Sequence, residues 1–561
     1  MQKLFYYFLL LSFVIISGCS EQTIVAKKTA KGEKRYGGII TYESPEMVYQ
    51  FFPLSCLSMY EQRAISPIFE TLIQFNEETK ELSGNLISSY TISKDLKTID
   101  LNVNKGIYFH DDICFGSKAE ELTASDIKFT LDFACTSHKL NQQSELLTSK
   151  IKGAKGFYDS FEGDLSKGVS GIKTLSRYSL RIELINPSPT FLKVLTHQSM
   201  SVFSKKAYNY YKEKIKEHPI GTGPFKLFYS NKNERVYIRN DKYWGKDKYD
   251  NQLPFVDKIM VKKQKEEKAF SSFTTQKTDL LLSIPANKIN SLFGTLDEAK
   301  NGKNILHKLQ YRNGLKMNYI GFDCSSSPFS NLHLRKAVFH AVDRENICSD
   351  FLYGESNPAL NGILPEGAYF QPNISPTTTY NLQLARYHLR KSNYKGDSLV
   401  FYATAEEGSS EMAWCTFLVN DLKKKLGLKI RLKTGTYKEK LISIQSGESQ
   451  MWTGAYIPDY PDAESYLSPY CSNNFGNSVR SFGKYKSIEF DAAFEKSTIE
   501  VDETLRNNLF NDCISVMNKE APVVPVYFEN LLVVYNLNLR DANMNSFGIL
   551  DFSKAYIKPI K

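Results

Sequence analysis

Residues 415–432 read CTFLVNDLKKKLGLKIRL, and this stretch decides the fold class. Cys415, Leu418, Leu422 and Leu426 recur at helical spacing, Gly427 supplies a residue that tolerates the left-handed helix stop, and LKIRL then alternates with the period of a strand. A helix running straight into a strand is the repeating unit of doubly wound α/β lobes, whose ligands collect at strand ends. Outward from it the same alternation continues. Period-2 segments at 98–103 (TIDLNV), 180–185 (LRIELI) and 235–240 (RVYIRN) predict strands. A capping-box variant at Thr123 with Asp126 opens a helix carrying Ile127, Leu131 and Ala134 on one face, and Asn331 caps another carrying Leu334, Val338 and Ala341. Residues 521–527 (APVVPVY) contain Pro522 and Pro525, which exclude an uninterrupted helix and fit an edge or domain-crossing strand. The fold class expected is α/β, without tandem repeats.

With 561 residues the chain exceeds one ordinary core, and three or four lobes are expected. An apolar content of 42% and a charged content of 24% fit a folded globular chain. Its 34 tyrosines fit core and sheet use and equally the lining of an amphipathic cleft. The net charge of +10 is interspersed with acids, so no nucleic-acid footprint emerges. Nine cysteines form no close CxxC pair of the kind zinc or thioredoxin-like chemistry uses. Those beyond Cys19 are able to form disulfides in an oxidising compartment, but their pairing is not readable from sequence. No HExxH, GxSxG or P-loop motif occurs, Gly221-Thr222-Gly223 lacks the third glycine of a dinucleotide loop, and His333 with His340 lacks a carboxylate cluster. Neither an enzyme nor a metal or other cofactor is expected.

Residues 1–19 (MQKLFYYFLLLSFVIISGC) have one basic residue, an apolar run from Leu4 to Ile16 and small residues before a cysteine, which is the pattern of an export signal. The run is shorter than the roughly 20 residues a span needs. Ile16-Ser17-Gly18-Cys19 resembles the lipobox of bacterial lipoproteins. That resemblance implies cleavage after residue 18, lipidation of Cys19, and a polar tether over 19–35 holding the body at a membrane.

Several ordered segments resemble the oligopeptide and dipeptide class of bacterial extracellular solute-binding proteins, the peptide-binding lipoproteins of ABC transporters. They are Gly37-Gly38, IFETL at 68–72, KDLKT at 94–98, YFHDD at 108–112, LTASD at 122–126, PIGTGPF at 219–225 and RNDKYWG at 239–245. Further along come LRKA at 334–337 with AVDRE at 341–345, IPDYPD at 457–462 with SYL at 465–467, and APVVPVY at 521–527. The resemblance implies a type II periplasmic-binding-protein-like architecture, two α/β lobes around a cleft with an additional inserted α/β lobe. Carried onto this chain, lobe I takes 36–78, 200–302 and 536–561, the inserted lobe II takes 79–199, and lobe III takes 303–535.

The resemblance further implies a monomer in the cell envelope, facing the periplasm or exterior, that binds short peptides and delivers them to ABC permease subunits. It places Asp459 where a carboxylate pairs with the peptide ammonium. It also puts the Ala455 and Ile457 backbones against the ligand, and Tyr456, Tyr460 and Trp452 at the cleft. Asp462 reads as a residue that orders the Pro-containing turn. The chain departs from the pattern at Asp112, where a glycine is expected, at Thr453, where an arginine is expected, and at 404–408, which lack a histidine. Peptide length therefore stays open. So do another solute on the same fold, such as a nickel complex, haem or sugar, and a surface sensor or adhesion role.

Overall fold

The computed structural model describes residues 30–558 except 285–287, 289–290, 293–297, 299–300, 302–306, 354, 366–379 and 475–482. The export segment, Cys19 and the tether as far as residue 29 lie outside the described residues.

Three sheets organise the chain. A seven-stranded sheet runs in the order His307–Arg312, Leu531–Asn536, Leu280–Leu281, Ile39–Ser44, Lys258–Lys263, Glu234–Arg239, Phe225–Ser230. A four-stranded antiparallel sheet holds Ile87–Ile92, Thr98–Val103, Ser179–Glu183 and Ile172–Ser176. A six-stranded sheet runs Ser356–Pro358, Val523–Glu529, Met317–Phe322, Met451–Tyr456, Leu399–Ala403, Ile430–Thr434. The architecture is multi-lobed α/β. His307–Arg312 and most of Leu531–Asn536 belong to the seven-stranded sheet, although the divisions expected at 303 and 536 assign them to lobe III.

Burial shows which sheets move together. One apolar cluster joins Ile40, Ile259 and Val533 of the seven-stranded sheet to Ile99, Leu101, Leu180 and Ile182 of the four-stranded sheet. These two sheets share a core and form one fused body. The six-stranded sheet has its own cores. Ile320, Phe322, Phe401 and Val524 pack with Leu334, Val338, Leu418 and Leu422 in one, while Met317 and Phe528 pack with Phe490, Phe510 and Ile514 in the other.

The deciding stretch folds as expected. The helix spans Ser410–Leu426, buries Cys415, Leu418, Leu422 and Leu426, and stops at Gly427 with φ 70°. The strand after it begins at Ile430, later than its alternation suggests. Thr123 and Asp126 make the capping box of Ala124–Ala134, and the Asn331 side chain accepts from the amides of His333 and Leu334. The 521–527 segment is not an edge. Val523–Glu529 pairs on both sides, and Pro525 is accommodated because the ladder with Met317–Phe322 shifts register there. The same run continues through Asn530 into Leu531–Asn536, so it does cross between sheets. Asp112 needs no glycine, having an extended φ of −152° and capping a short turn through the Cys114 amide.

Three of the quoted segments converge on one buried carboxyl. Glu70 of IFETL accepts from Thr222 Oγ1 at 2.8 Å, Tyr243 OH at 2.8 Å and Trp244 Nε1 at 3.0 Å. Gly221 and Gly223 are there for contact, since a Cβ on Gly221 would stand 2.0 Å from the Ile68 carbonyl oxygen. Burial pushes the Glu70 carboxyl up to about 7, against the pull of these three donors. A folded-state value raised above the unfolded one means that unfolding releases protons between pH 4.5 and 7, so the stability Glu70 contributes is present at low pH and lost as pH rises. The difference is on the order of 3 kcal/mol. Glu70→Gln is expected to flatten this part of the stability profile, read as urea midpoints at pH 5 and pH 8; an unchanged wild-type slope in the variant contradicts the assignment.

Candidate functional site

The three neighbouring parallel strands of the six-stranded sheet present their carboxyl ends on the same side. Leu399–Ala403 leads to Thr404, Ile430–Thr434 leads to Gly435, and Met451–Tyr456 leads into 457–462. Carboxyl ends of parallel strands are where open α/β sheets hold ligands. Met451–Tyr456 pairs along its whole length with Met317–Phe322, from Met451 opposite Phe322 to Tyr456 opposite Met317. With Leu399–Ala403 it pairs only at Met451 and Trp452. Beyond Trp452 it projects past this neighbour, and no strand of the described residues pairs with that edge.

The segment after the strand is held by Ser465. The Asp459 amide donates to Ser465 Oγ at 2.8 Å, and Tyr456 OH donates to the Ser465 carbonyl at 2.6 Å. Asp459, half-buried, thereby lines a cavity of about 510 Å³. Tyr456, Tyr460, Ser468 and Ile499 line it from the six-stranded body, and Lys150, Lys155 and Tyr158 from the fused body.

The predicted residues divide. Tyr456, Asp459 and Tyr460 meet at the cavity. Ala455 is exposed opposite Asn318, and Ile457 is half-buried. Trp452 is not brought to the cavity: only 2% exposed, it packs with Tyr402 and Ile444 and stands against Gly321, where a Cβ would come within 2.4 Å of its Nε1. Side chains alternate along a strand, which puts Trp452 with Gly454 and Tyr456 but nearer the sheet centre.

Beside the cavity lies an ion cluster that joins the two bodies. Asp462 and Glu464 are each 3% exposed. Lys150 pairs with Glu464 at 2.8 Å and Lys193 with Asp462 at 2.7 Å, both from the fused body. Arg506, from the same body as the carboxylates, donates to both Asp462 oxygens at 2.9 and 2.7 Å and to Glu464 at 3.1 Å. Thr190 and Tyr460 complete the Glu464 shell at 2.9 and 3.0 Å. Burial alone would raise the Asp462 carboxyl, but Lys193 and Arg506 overcome it and hold it well below the usual carboxylate range. Asp462 also caps Ala463–Leu467, so it does order the turn. Sequence reasoning missed Lys150, Thr190, Lys193, Glu464 and Arg506, because no local spacing links groups 42 to 314 residues apart.

Elsewhere, His333 Nδ1 lies 2.8 Å from His388 Nδ1, and His340 stacks on His388. Among the described residues no group of three or more metal-ligating side chains occurs, and no helix is long and apolar enough to cross a membrane. The eight described cysteines are free thiols.

Removing one partner from a buried ion cluster costs roughly 3 to 5 kcal/mol. Arg506→Leu is expected to lower the urea midpoint accordingly at pH 7. Because the Asp462 value is depressed, its contribution is fully present above the unfolded carboxylate range near pH 4 and is lost as pH falls through the folded-state value, which lies well below that range. The difference between variant and wild type should therefore be full at pH 7 and begin to narrow only below pH 4, and equal midpoints at pH 7 contradict the role given to Arg506.

Comparison with known proteins places this geometry. The family model described as "Bacterial extracellular solute-binding proteins, family 5 Middle" matches residues 81–478. The oligopeptide-binding protein OppA of Bacillus subtilis is 24% identical over 511 residues, covering 88% of each chain. Heme-binding protein A of Haemophilus influenzae is 22% identical over 531 residues, covering 91% of each. The solved structure of the periplasmic binding protein DppA from Helicobacter pylori, in complex with peptide STSA, superposes with a TM-score of 0.76 at 21% identity, covering 94% of this chain and 99% of that one. With its sheets, its interlobe cavity and this family match in agreement, the chain belongs to the bacterial extracellular solute-binding proteins of family 5.

Proposed function

We propose that this chain is the substrate-binding component of an ABC importer, holding short peptides between the fused body and the six-stranded body and delivering them to a membrane permease. Asp459 carries the reading. Its backbone amide is held by Ser465, and it lines the wall of a cavity shared by two bodies, beside a strand whose edge projects past its neighbour. Peptide binding without sequence preference uses strand-like backbone hydrogen bonds plus a charge at a terminus, and the edge with Asp459 offers both. The names of the Bacillus subtilis and Helicobacter pylori relatives agree with this ligand class.

In the mechanism, Asp459 pairs with the ammonium of the peptide. At 4 Å and an effective dielectric of ~20, that attraction is about 4 kcal/mol. Because the ligand touches both bodies, it shifts the population towards the closed form. Lipidation at Cys19 and a tether that ends by residue 30, where the chain docks on the body through Lys31 N–H to Asn251 Oδ1 at 2.9 Å and Lys34 to Asp541 at 2.7 Å, keep the closed protein near its permease.

Asp459→Asn is expected to weaken binding of a free peptide such as trialanine about a hundredfold, since an ammonium shut in the cleft loses its partner. N-acetylated trialanine should bind both proteins equally weakly in calorimetry. Native mass spectrometry of the freshly purified chain should show a ladder of peptide-sized ligands. A single haem, sugar or metal-chelate mass, or N-acetylated peptides held as tightly as free ones, would overturn the reading.

A further inference from the structure

Among the described residues two short crossings join the bodies: 313–316 between His307–Arg312 and Met317–Phe322, and Asn530 between Val523–Glu529 and Leu531–Asn536. Rotation about them parts the bodies along the cavity, and the ion cluster is where one body then loses hold of the other. Each side of that contact is built in advance. Lys150 lies between buried Leu147 and Ile151, and Lys193 between buried Leu192 and Val194, so the core of the fused body sets both stems. Opposite them, Asp462 caps Ala463–Leu467, whose Tyr466 and Leu467 are buried in the six-stranded body. Tyr466 OH also donates to the Leu315 carbonyl at 2.6 Å, which ties this helix to the first crossing.

The charges on the two sides are opposite and unequal. With the bodies apart, the six-stranded body keeps two carboxylates, Asp462 and Glu464, against the single guanidinium of Arg506, and the fused body presents the two ammonium groups. Opposite charges attract across the gap, and joining them gives each carboxylate a cation from either side. Neutral groups come with them. Thr190 Oγ1 donates to Glu464 at 2.9 Å and accepts from Lys150 Nζ at 3.3 Å. Tyr460, on the carboxylates' segment, is 5% exposed within the apolar cluster of the fused body. All of these contacts are between atoms of the chain itself, so they favour the shut arrangement without help from a bound solute.

We propose that Lys150 and Lys193, pairing with Glu464 and Asp462, form a latch that shuts the two bodies in the absence of solute and releases as ionic strength rises. A solute then adds its own contacts to a shut form that the chain already populates, and this holds whichever small solute the cavity takes. Salt stabilises separated, hydrated charges more than buried pairs, so it draws the balance towards the parted form. Arg506 stays with the carboxylates in both forms. Without it, parting the bodies would leave Asp462 and Glu464 with no cation, and the latch would not reopen readily.

The test uses the full chain, freed of co-purifying solute by dialysis from urea, with two readouts. One is the radius of gyration from X-ray scattering. The other is the rate at which the Lys150 and Lys193 amines are acetylated, by mass spectrometry, relative to Lys152, whose exposed amine pairs with Glu183 of its own body. Raising NaCl from about 50 mM to about 500 mM should enlarge the radius and speed acetylation of Lys150 and Lys193 about tenfold. Lys193→Met should do the same to the radius and to Lys150 at low salt, whereas Lys152→Met should leave the radius unchanged. If Lys193→Met does not fold, the wild-type salt series decides. A wild type whose Lys150 reacts as fast as Lys152 at low salt, or whose radius and Lys150 rate stay flat with salt, overturns the latch. So does a folded Lys193→Met variant that matches wild type in both readouts.

Discussion

Asp462 and Glu464, two carboxylates enclosed where the bodies meet, impose the constraint around which this molecule is arranged. Each would cost several kcal/mol to bury alone. Arg506 answers that cost from their own body with a bidentate contact, while Lys150 and Lys193 reach in from the other side. The asymmetry matters: the carboxylates keep a cation whether or not the lysines are present, and long lysine chains rehydrate readily at a surface. Tyr460 of the same segment is buried in the apolar cluster of the fused body, so the contact joins ion pairs to an aromatic side chain. The same segment carries Asp459 three residues before Asp462, with its amide held by Ser465.

The cores follow the same division. The seven- and four-stranded sheets share one apolar cluster, which makes them a single partner for the six-stranded body. Glu70 sits within that fused body, tied to Thr222, Tyr243 and Trp244. This explains why segments far apart in the chain resemble their family counterparts without touching the cavity. They build the frame. Glycine at 221 and 223 serves close backbone approach to 67–68.

How much was legible depended on distance along the chain. The Ser410–Leu426 helix, its glycine stop, the Thr123 box and the Asn331 cap are each encoded within a few residues, and all formed as read. Residues 521–527 read as an edge or domain-crossing strand; that Val523–Glu529 pairs on both sides is not legible, because the accommodation of Pro525 depends on a register shift against Met317–Phe322. The family resemblance puts Trp452 at the cleft. Its position nearer the sheet centre instead sends it into a small core with Tyr402 and Ile444.

The amino-acid order by itself determined the α/β class, the family, the helix ends and the segment holding Asp459, since these rest on periodicity, capping and short motifs that neighbours in the chain complete. Only the tertiary structure decided which charges share a boundary and that Lys150 and Lys193 meet Glu464 and Asp462. Electrostatic interactions act through space and depend on burial, and neither separation in space nor exclusion of water is written in the spacing of residues along a chain.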